Sequence, residues 1–419
     1  MWRLMPFLFL LYIVAYLDRI NVSFAILQMR GQLQLSDRAY GRAAGIFFAG
    51  YFFFQLPSNL LLVRVGVRRW ITGLMVTWGL VSCSMIFIRG PVSFYTLRFL
   101  LGVAEAGFFP GMILYLRQWF PASARARAVA WFMTANPLAG VVGSPISGAL
   151  LGLRGGGLAG WQWLFLMEGL PAIVLGAAVY WVLTDCPENA SWLAEPERSW
   201  LVETLAREQQ ELPHEGSIRK KEGIWAVLSS ARTWLLSVIF FGVATCMYGV
   251  TLWLPTVIRT LSHLSYFETG VVAAIPYVIA AVVMVTAGMS SDRTGERRWH
   301  TALPAFAGAA ALAVAAYSSA AALVIGGIGL GMIGAEAMLG PFWAMATARL
   351  RGTSAAAGIA VINSIGNLGG YFGPYIIGRA SSLGGGFRGG LLAIGATLAL
   401  SGAIAAVLGR GTRRVEGVE

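Results

Sequence analysis

Charge is what this sequence has least of. Only 12% of its 419 residues are Asp, Glu, Lys or Arg, about half the share found in a soluble domain. Histidine is nearly missing, with His214, His263 and His300 the whole complement, all in or beside polar stretches. No HExxH or GxSxG motif occurs, so a metal cluster or a nucleophile–base pair has no foundation here and an enzyme is not expected. Cys83, Cys186 and Cys246 make neither an even set nor a CxxC pair, which argues against a disulfide framework. No metal or cofactor is expected. Acids are outnumbered, 19 against 31 bases, for a net charge of +12. The bases fall in short clusters between apolar runs and form no stripe with interleaved aromatics, so no nucleic-acid partner is expected.

What is abundant is apolar sequence, 57% of the chain. About 20 such residues cross a bilayer as a helix. On that rule twelve spans are predicted: 5–27, 40–62, 70–88, 92–115, 124–151, 161–183, 233–257, 267–289, 300–319, 321–347, 354–380 and 387–408. The run 300–347 is almost unbroken and is divided at Ser318 and Ser319, with eleven spans as the alternative. The first run carries Asp18 and Arg19 at its middle and has no small-residue cleavage site after it, so it reads as a retained helix and not a signal peptide. The fold class is all-α: a polytopic membrane protein whose twelve transmembrane helices form two pseudo-symmetric six-helix bundles, residues 1–183 and 233–419. The polar segment 184–232 links them, and its stretch 191–210 has the Trp/Leu spacing of a surface amphipathic helix.

Counting Lys and Arg loop by loop puts 21 on the side of the N-terminus and 8 on the other. The positive-inside rule then places both termini in the cytoplasm, in a multi-pass protein of the inner (plasma) membrane with the lipid bilayer as its partner. The loop after the second span of each half repeats. Arg64 to Trp70 and Arg293 to Trp299 both read R-x-G-x-R-R-W. Two related halves are the architecture in which a binding site forms between them at mid-membrane.

Charges inside the apolar runs carry the functional signal. Asp18 and Arg19 lie in LLYIVAYLDRINVSFAI, and Arg98 and Glu105 in YTLRFLLGVAEAGFFPGM. A charge at the bilayer centre costs about 3 kcal/mol on the lenient scale, so such groups face a polar path. Arg19 offers a fixed charge and a planar fork matched to a carboxylate, which makes it the candidate for binding an anion. The alternative is that it only neutralises a neighbouring acid. Asp18 and Glu105 are the candidate proton carriers. Consecutive residues diverge by about 100° on a helix, so Asp18 should turn to an adjacent helix. Arg98 and Glu105 are two turns apart on one face, too far for a direct pair, and Arg98 is expected to pair with Asp18. Glu168 reads as a partly hydrated acid near a helix start, and Glu336 as a weaker cavity candidate. Tyr16, Tyr51, Asn136, Tyr248, Asn363 and Asn367 would complete the substrate pocket, with Asn21 and Thr134 as lesser polar candidates. Trp343 reads as packing.

With these pieces in place the chain resembles the major facilitator superfamily. The segment G-x-x-S-D-R-x-G-x-R-R at 288–298 looks like that superfamily's loop signature. YLDRINVSFA (16–25), FFFQLPSNLLL (52–62), RFLLGVAEAGFFPG (98–111), WQWLFLMEGLPAI (161–173) and CPENASWL (186–193) are similar to its anion:cation symporter family. Leu62 stands where the first-half signature would carry an acid. The resemblance implies alternating access, proton-coupled import of a small organic anion (a sugar acid or a mono- or dicarboxylate), and use of the arginine at 19 toward substrate. The proton gradient would be the energy source and a monomer the working form. It also implies a cytoplasmic gate at Gly288, Asp292, Arg293 and Arg297. Two other functions stay open: a proton-coupled antiporter exporting metabolites or drugs, and a receptor that does not transport.

Overall fold

The computed structural model describes residues 3–211, 227–348 and 352–408. Among these there is no strand, and nearly everything is helix. The first half comprises α1 (Met5–Ile20), α2 (Val22–Gln32), α3 (Asp37–Val65), α4 (Val67–Ser84), α5 (Pro91–Glu105), α6 (Phe108–Trp119), α7 (Ala122–Met133), α8 (Ala135–Leu150) and α9 (Gly160–Val182). After α10 (Glu195–Glu211) come α11 (Ala231–Ser262), α12 (Tyr266–Thr294), α13 (Arg298–Tyr317), α14 (Ala321–Ala337), α15 (Leu339–Thr347), α16 (Gly352–Asn367), α17 (Gly369–Ala380) and α18 (Arg388–Leu408).

Among the described residues, ten stretches are long and apolar enough to cross a membrane. The pairs α7/α8 and α16/α17 occupy the two other expected spans. The chain does break at Ser318, as the sequence suggests, because Ser318–Ala320 separates α13 from α14. Polarity is inverted relative to a soluble protein. Phe53, Val63, Val174, Trp181 and Val407 are exposed, while Asp18, Arg98, Glu105, Glu168 and Glu336 are buried. Lipid tails solvate the first set, and a packed interior must satisfy the second.

Among the described residues, five spans are not single helices. They are interrupted at Asn21, at Ala106–Gly107, at Thr134, at Met338 and at Leu368, all near mid-span. Glycines and prolines hint at four of these in the sequence, but none stands within nine residues of Asn21, and each apolar run reads as continuous.

The two sequence halves meet through α3 against α17 and α8 against α12. Glycine permits the approach. A methyl added at Gly41 would sit 2.6 Å from the Pro374 carbonyl oxygen, and one at Gly45 2.6 Å from that of Tyr371. Gly148 meets the Tyr266 carbonyl and Gly270 that of Ser144 in the same manner. Ser381 Oγ ties the halves at this end by donating to Asp37 Oδ2 at 2.6 Å, while Arg30 steadies Asp37 from within the first half at 2.8 Å and Trp253 Nε1 donates to the Pro374 carbonyl within the second at 3.1 Å. Tyr40 donates its hydroxyl to the Leu252 carbonyl. Toward the arginine-rich end the described ties between halves thin to Ser364 Oγ on Gln55 Oε1 at 3.5 Å.

The repeated loop has a backbone reason. Gly66 and Gly295, the glycines of the two R-x-G-x-R-R-W copies, have φ of 89° and 67°, a region that a side chain disfavours. Each ends a long helix there and starts the next within three residues. The linker helix α10 is present where an amphipathic helix is expected. It docks on the first half, with Arg125 Nη2 2.9 Å from Glu208 Oε2 and Glu208 Oε1 accepting from the Ala122 amide at 2.7 Å. An acid capping the start of α7 suits the positive end of that helix.

Candidate functional site

The interior charges gather where α1 and α5 are interrupted. Arg19 lies in the last turn of α1 and Glu105 ends α5. Arg19 Nη2 is 2.9 Å from Glu105 Oε2, with the arginine side chain 15% and the glutamate 1% exposed. Arg19 Nη1 points to the Tyr248 hydroxyl on α11 at 3.5 Å. Its guanidinium lies over the rings of Phe47 and Tyr51 on α3, at 5.3 and 5.4 Å. The cation is thus held by one carboxylate, one phenol from the other half, and two aromatic faces. Glu105 Oε1 has no hydrogen-bond partner. An arginine that is still partly open beside a carboxylate with a spare oxygen is a site able to exchange partners.

Asp18 turns the other way, as its position on the helix requires. Ser82 Oγ donates to Oδ1 at 2.6 Å and Trp78 Nε1 to Oδ2 at 3.1 Å, both from α4, and Asn21 Nδ2 donates to Oδ1 at 3.3 Å. The expected pair between Asp18 and Arg98 is therefore not formed. Arg98 faces α3 instead, where its Nε donates to the Ala43 carbonyl at 3.4 Å and its guanidinium lies 4.9 Å from the Phe47 ring. The reason is packing: Gly102 on α5 lies directly against the Phe47 backbone, which draws that face of α5 onto α3. Nη1 and Nη2 of Arg98 have no hydrogen-bond partner though the residue is fully buried.

Glu168 also departs from expectation. It is 4% exposed and accepts from Ser147 Oγ at 2.6 Å, so it is an interior acid and not a hydrated helix start. Glu336, 2% exposed, ends α14 beside the Met338 interruption and lies within electrostatic reach of Tyr12, Tyr16 and Tyr277.

The remaining pocket candidates divide. Tyr51 and Tyr248 touch Arg19. The Tyr16 hydroxyl and Asn136 Oδ1 are buried without partners, near the α1 and α7/α8 interruptions. Thr134 is spent on its own helix, donating to the Trp131 carbonyl at 2.7 Å. Asn363 and Asn367 stand half-buried on α16 and make no hydrogen bond to the Arg19 cluster among the described residues. Trp343 packs on Phe240 and Phe342, as a packing residue would. Of the gate residues, Asp292 pairs with Arg297 within its own loop. Gly288 has open space around it, and Arg293 has no ion pair among the described residues.

Phe47, Trp78 and Ser82 were not legible as site residues, because aromatics and serines in apolar runs are common packing. One overlooked signal is in the sequence. Ala104-Glu105-Ala106 and Ala335-Glu336-Ala337 each close a half-helix, and a proline, Pro110 or Pro341, stands third in the half-helix that follows. The two halves thus carry matching acids at matching breaks.

A multi-pass helical bundle with a charged cluster at mid-depth, between interrupted helices, defines a membrane carrier. The chain belongs to the Major Facilitator Superfamily, whose model matches residues 8–374. It is 47% identical over 410 residues to an Agrobacterium vitis protein whose name proposes tartrate transport, covering 98% of this chain and 90% of the relative. It is 39% identical over 391 residues to a quinolone resistance transporter of Acinetobacter baumannii, covering 93% and 89%. In fold it is similar to a bacterial homologue of the human lysosomal transporter Spinster, solved inward-facing and occupied, with a TM-score of 0.78 over 97% of this chain and 96% of that one at 17% identity. Transport, and not catalysis, is what the chain does.

Proposed function

We propose that this chain imports a small organic anion together with protons, by rocking residues 1–183 against 233–419 about the Arg19 cluster, with 184–232 as the tether. The carrying observation is the 2.9 Å pair between Arg19 and Glu105. A substrate carboxylate can take the guanidinium fork only by displacing Glu105. The released glutamate would then be a bare charge in a dry interior, which is far too costly unless it is neutralised. A proton does this, and the idle Nη1 and Nη2 of Arg98, two turns away, offer a second partner during exchange. Substrate and proton thereby favour each other's binding, and the preference must be reciprocal. Asp18, held by neutral donors, is the second candidate proton carrier.

The tie at the Gly41, Gly45, Gly148 and Gly270 end, with arginine-rich loops at the other, supports an inward-facing state with both termini cytoplasmic in the inner membrane. Moving a negative charge inward works against the membrane potential by about 2.3 kcal/mol per 100 mV. Two protons per monoanion reverse that sign, so uptake is electrogenic.

The tartrate-named relative favours hydroxylated acids as the substrate class. The quinolone-resistance relative favours a second reading, proton-coupled export. The test is uptake into proteoliposomes of tartrate, aldonates and aromatic acids under an inward proton gradient. Accumulation supports import. Accumulation only under an outward-directed gradient of protons would establish export instead.

A further inference from the structure

The first half holds a buried carboxyl pair that the Arg19–Glu105 exchange does not use. Glu168 on α9 is 4% exposed, and its Oε1 accepts from Ser147 Oγ on α8 at 2.6 Å. Its Oε2 is buried with no hydrogen-bond partner. The side-chain amide of Asn21, at the α1/α2 interruption, lies against Glu168, and its Nδ2 also donates to Asp18 Oδ1 at 3.3 Å. Asn21 Oδ1 is likewise buried and without a partner. One amide thus donates to Asp18 and lies beside Glu168, all three side chains being under 5% exposed.

The surroundings supply donors but no ion-paired counter-ion, Arg98 reaching Asp18 only at longer range. Asp18 is faced by Trp78, Ser82 and the Cys83 thiol from α4, by Glu105 and Arg98 from α5 at longer range, and by Glu168 from α9. Glu168 is faced by Ser147 from α8 and Asn21 from the α1/α2 interruption. Neither acid forms an ion pair among the described residues, and Arg19 is taken by Glu105. Two interior carboxyls within electrostatic reach of each other and of one amide titrate as a coupled pair. The unpartnered oxygen agrees. Glu168 Oε2 has no donor in reach, and a proton on it removes the bare charge that it would otherwise carry.

Position adds direction. The Trp161 amide at the start of α9 donates to Gln28 Oε1 of α2 at 3.0 Å, so Glu168, seven residues on, lies at the level of Asn21, about one turn nearer that end than Asp18. Ser147 is closer to that end still, three residues before α8 finishes at Leu150.

We propose that Asp18 and Glu168, with Asn21 beside both, share one proton, making Glu168 a further proton-binding residue on the closed-end side of the coupling site. This rests on the proton-coupled reading for its role in transport. Infrared titration of the full chain in lipid, read at the carbonyl stretch of protonated carboxyls, tests it without a substrate. The expected result is a pH-dependent band that disappears in Glu168→Gln, shifts in frequency in Ser147→Ala, and changes its titration in Asp18→Asn. Ser147→Ala keeps the test open should Glu168→Gln fail to fold. A band unchanged by Glu168→Gln and Ser147→Ala, or no such band in the wild type, would overturn the shared proton. A wild type with the band but no gradient-driven uptake would overturn the coupled reading while upholding the pair.

Discussion

Arg19 and Glu105 hold each other in place, and the consequences of breaking them apart are unequal. Arg19→Ala leaves Glu105 buried without its cation, a loss of about 3–5 kcal/mol for a broken interior pair. We expect uptake at background and a lowered Tm in that variant. Arg19→Met combined with Glu105→Gln should recover much of the Tm, because no charge is then stranded, while uptake stays absent. Equal Tm values for the single and double variants would show that the pair carries no such strain. Arg19→Lys keeps the charge but loses the fork, so substrate affinity should fall with the Tm little changed, a split that binding and melting measurements separate. At this scale the sequence is half legible. Asp18, Arg19, Arg98 and Glu105 stand out because charge inside an apolar run has no packing explanation. Their partners do not, since the rotation of each helix about its axis is set by contacts such as Gly102 on the Phe47 backbone. That contact, invisible to spacing, is what sends Arg98 to α3 and leaves Asp18 to Trp78 and Ser82.

Among the helices, glycine sets the close approaches between the halves. Gly41→Leu drives a side chain into the Pro374 carbonyl and should prevent the halves from meeting at that end. A single cysteine at position 381, in a background without Cys83, Cys186 and Cys246, reports this. Its labelling by a membrane-impermeant maleimide from that side should rise in Gly41→Leu, and unchanged labelling would mean that the approach of α3 to α17 is not what closes the bundle. Gly295→Ala forces an L-residue into the left-handed region and Gly66→Ala forces one to φ 89°, ψ 150°, conformations that cost roughly 1–3 kcal/mol. Each should lower the Tm, and a neutral effect would mean that the turns relax. The spans themselves were legible, down to the break at Ser318, because hydropathy fixes them. The interruptions at Asn21, Ala106, Thr134, Met338 and Leu368 were not. A one- or two-residue deviation leaves the apolar run intact, and only neighbours in three dimensions supply the partners that make it tolerable.

For the whole molecule, two halves with matching R-x-G-x-R-R-W turns and matching Ala-Glu-Ala breaks support a two-body rocking carrier. Its first half holds the charge chemistry: Asp18, Arg19, Arg98, Glu105 and Glu168 all belong to it, against Glu336 alone among the described residues of the second. Tyr248 is the described link from Arg19 to the second half. Tyr248→Phe should therefore weaken the dependence of substrate affinity on the closing motion more than it changes the Tm. The most direct measurement is uptake of labelled tartrate and related hydroxy acids into proteoliposomes, with and without an inward proton gradient, for wild type, Arg19→Ala and Glu105→Gln. The account predicts gradient-driven accumulation of one such acid in the wild type, none in Arg19→Ala, and exchange without accumulation in Glu105→Gln. Accumulation that persists in Glu105→Gln would contradict it, for the proton would then be entering by a route that does not pass through the Arg19 pair.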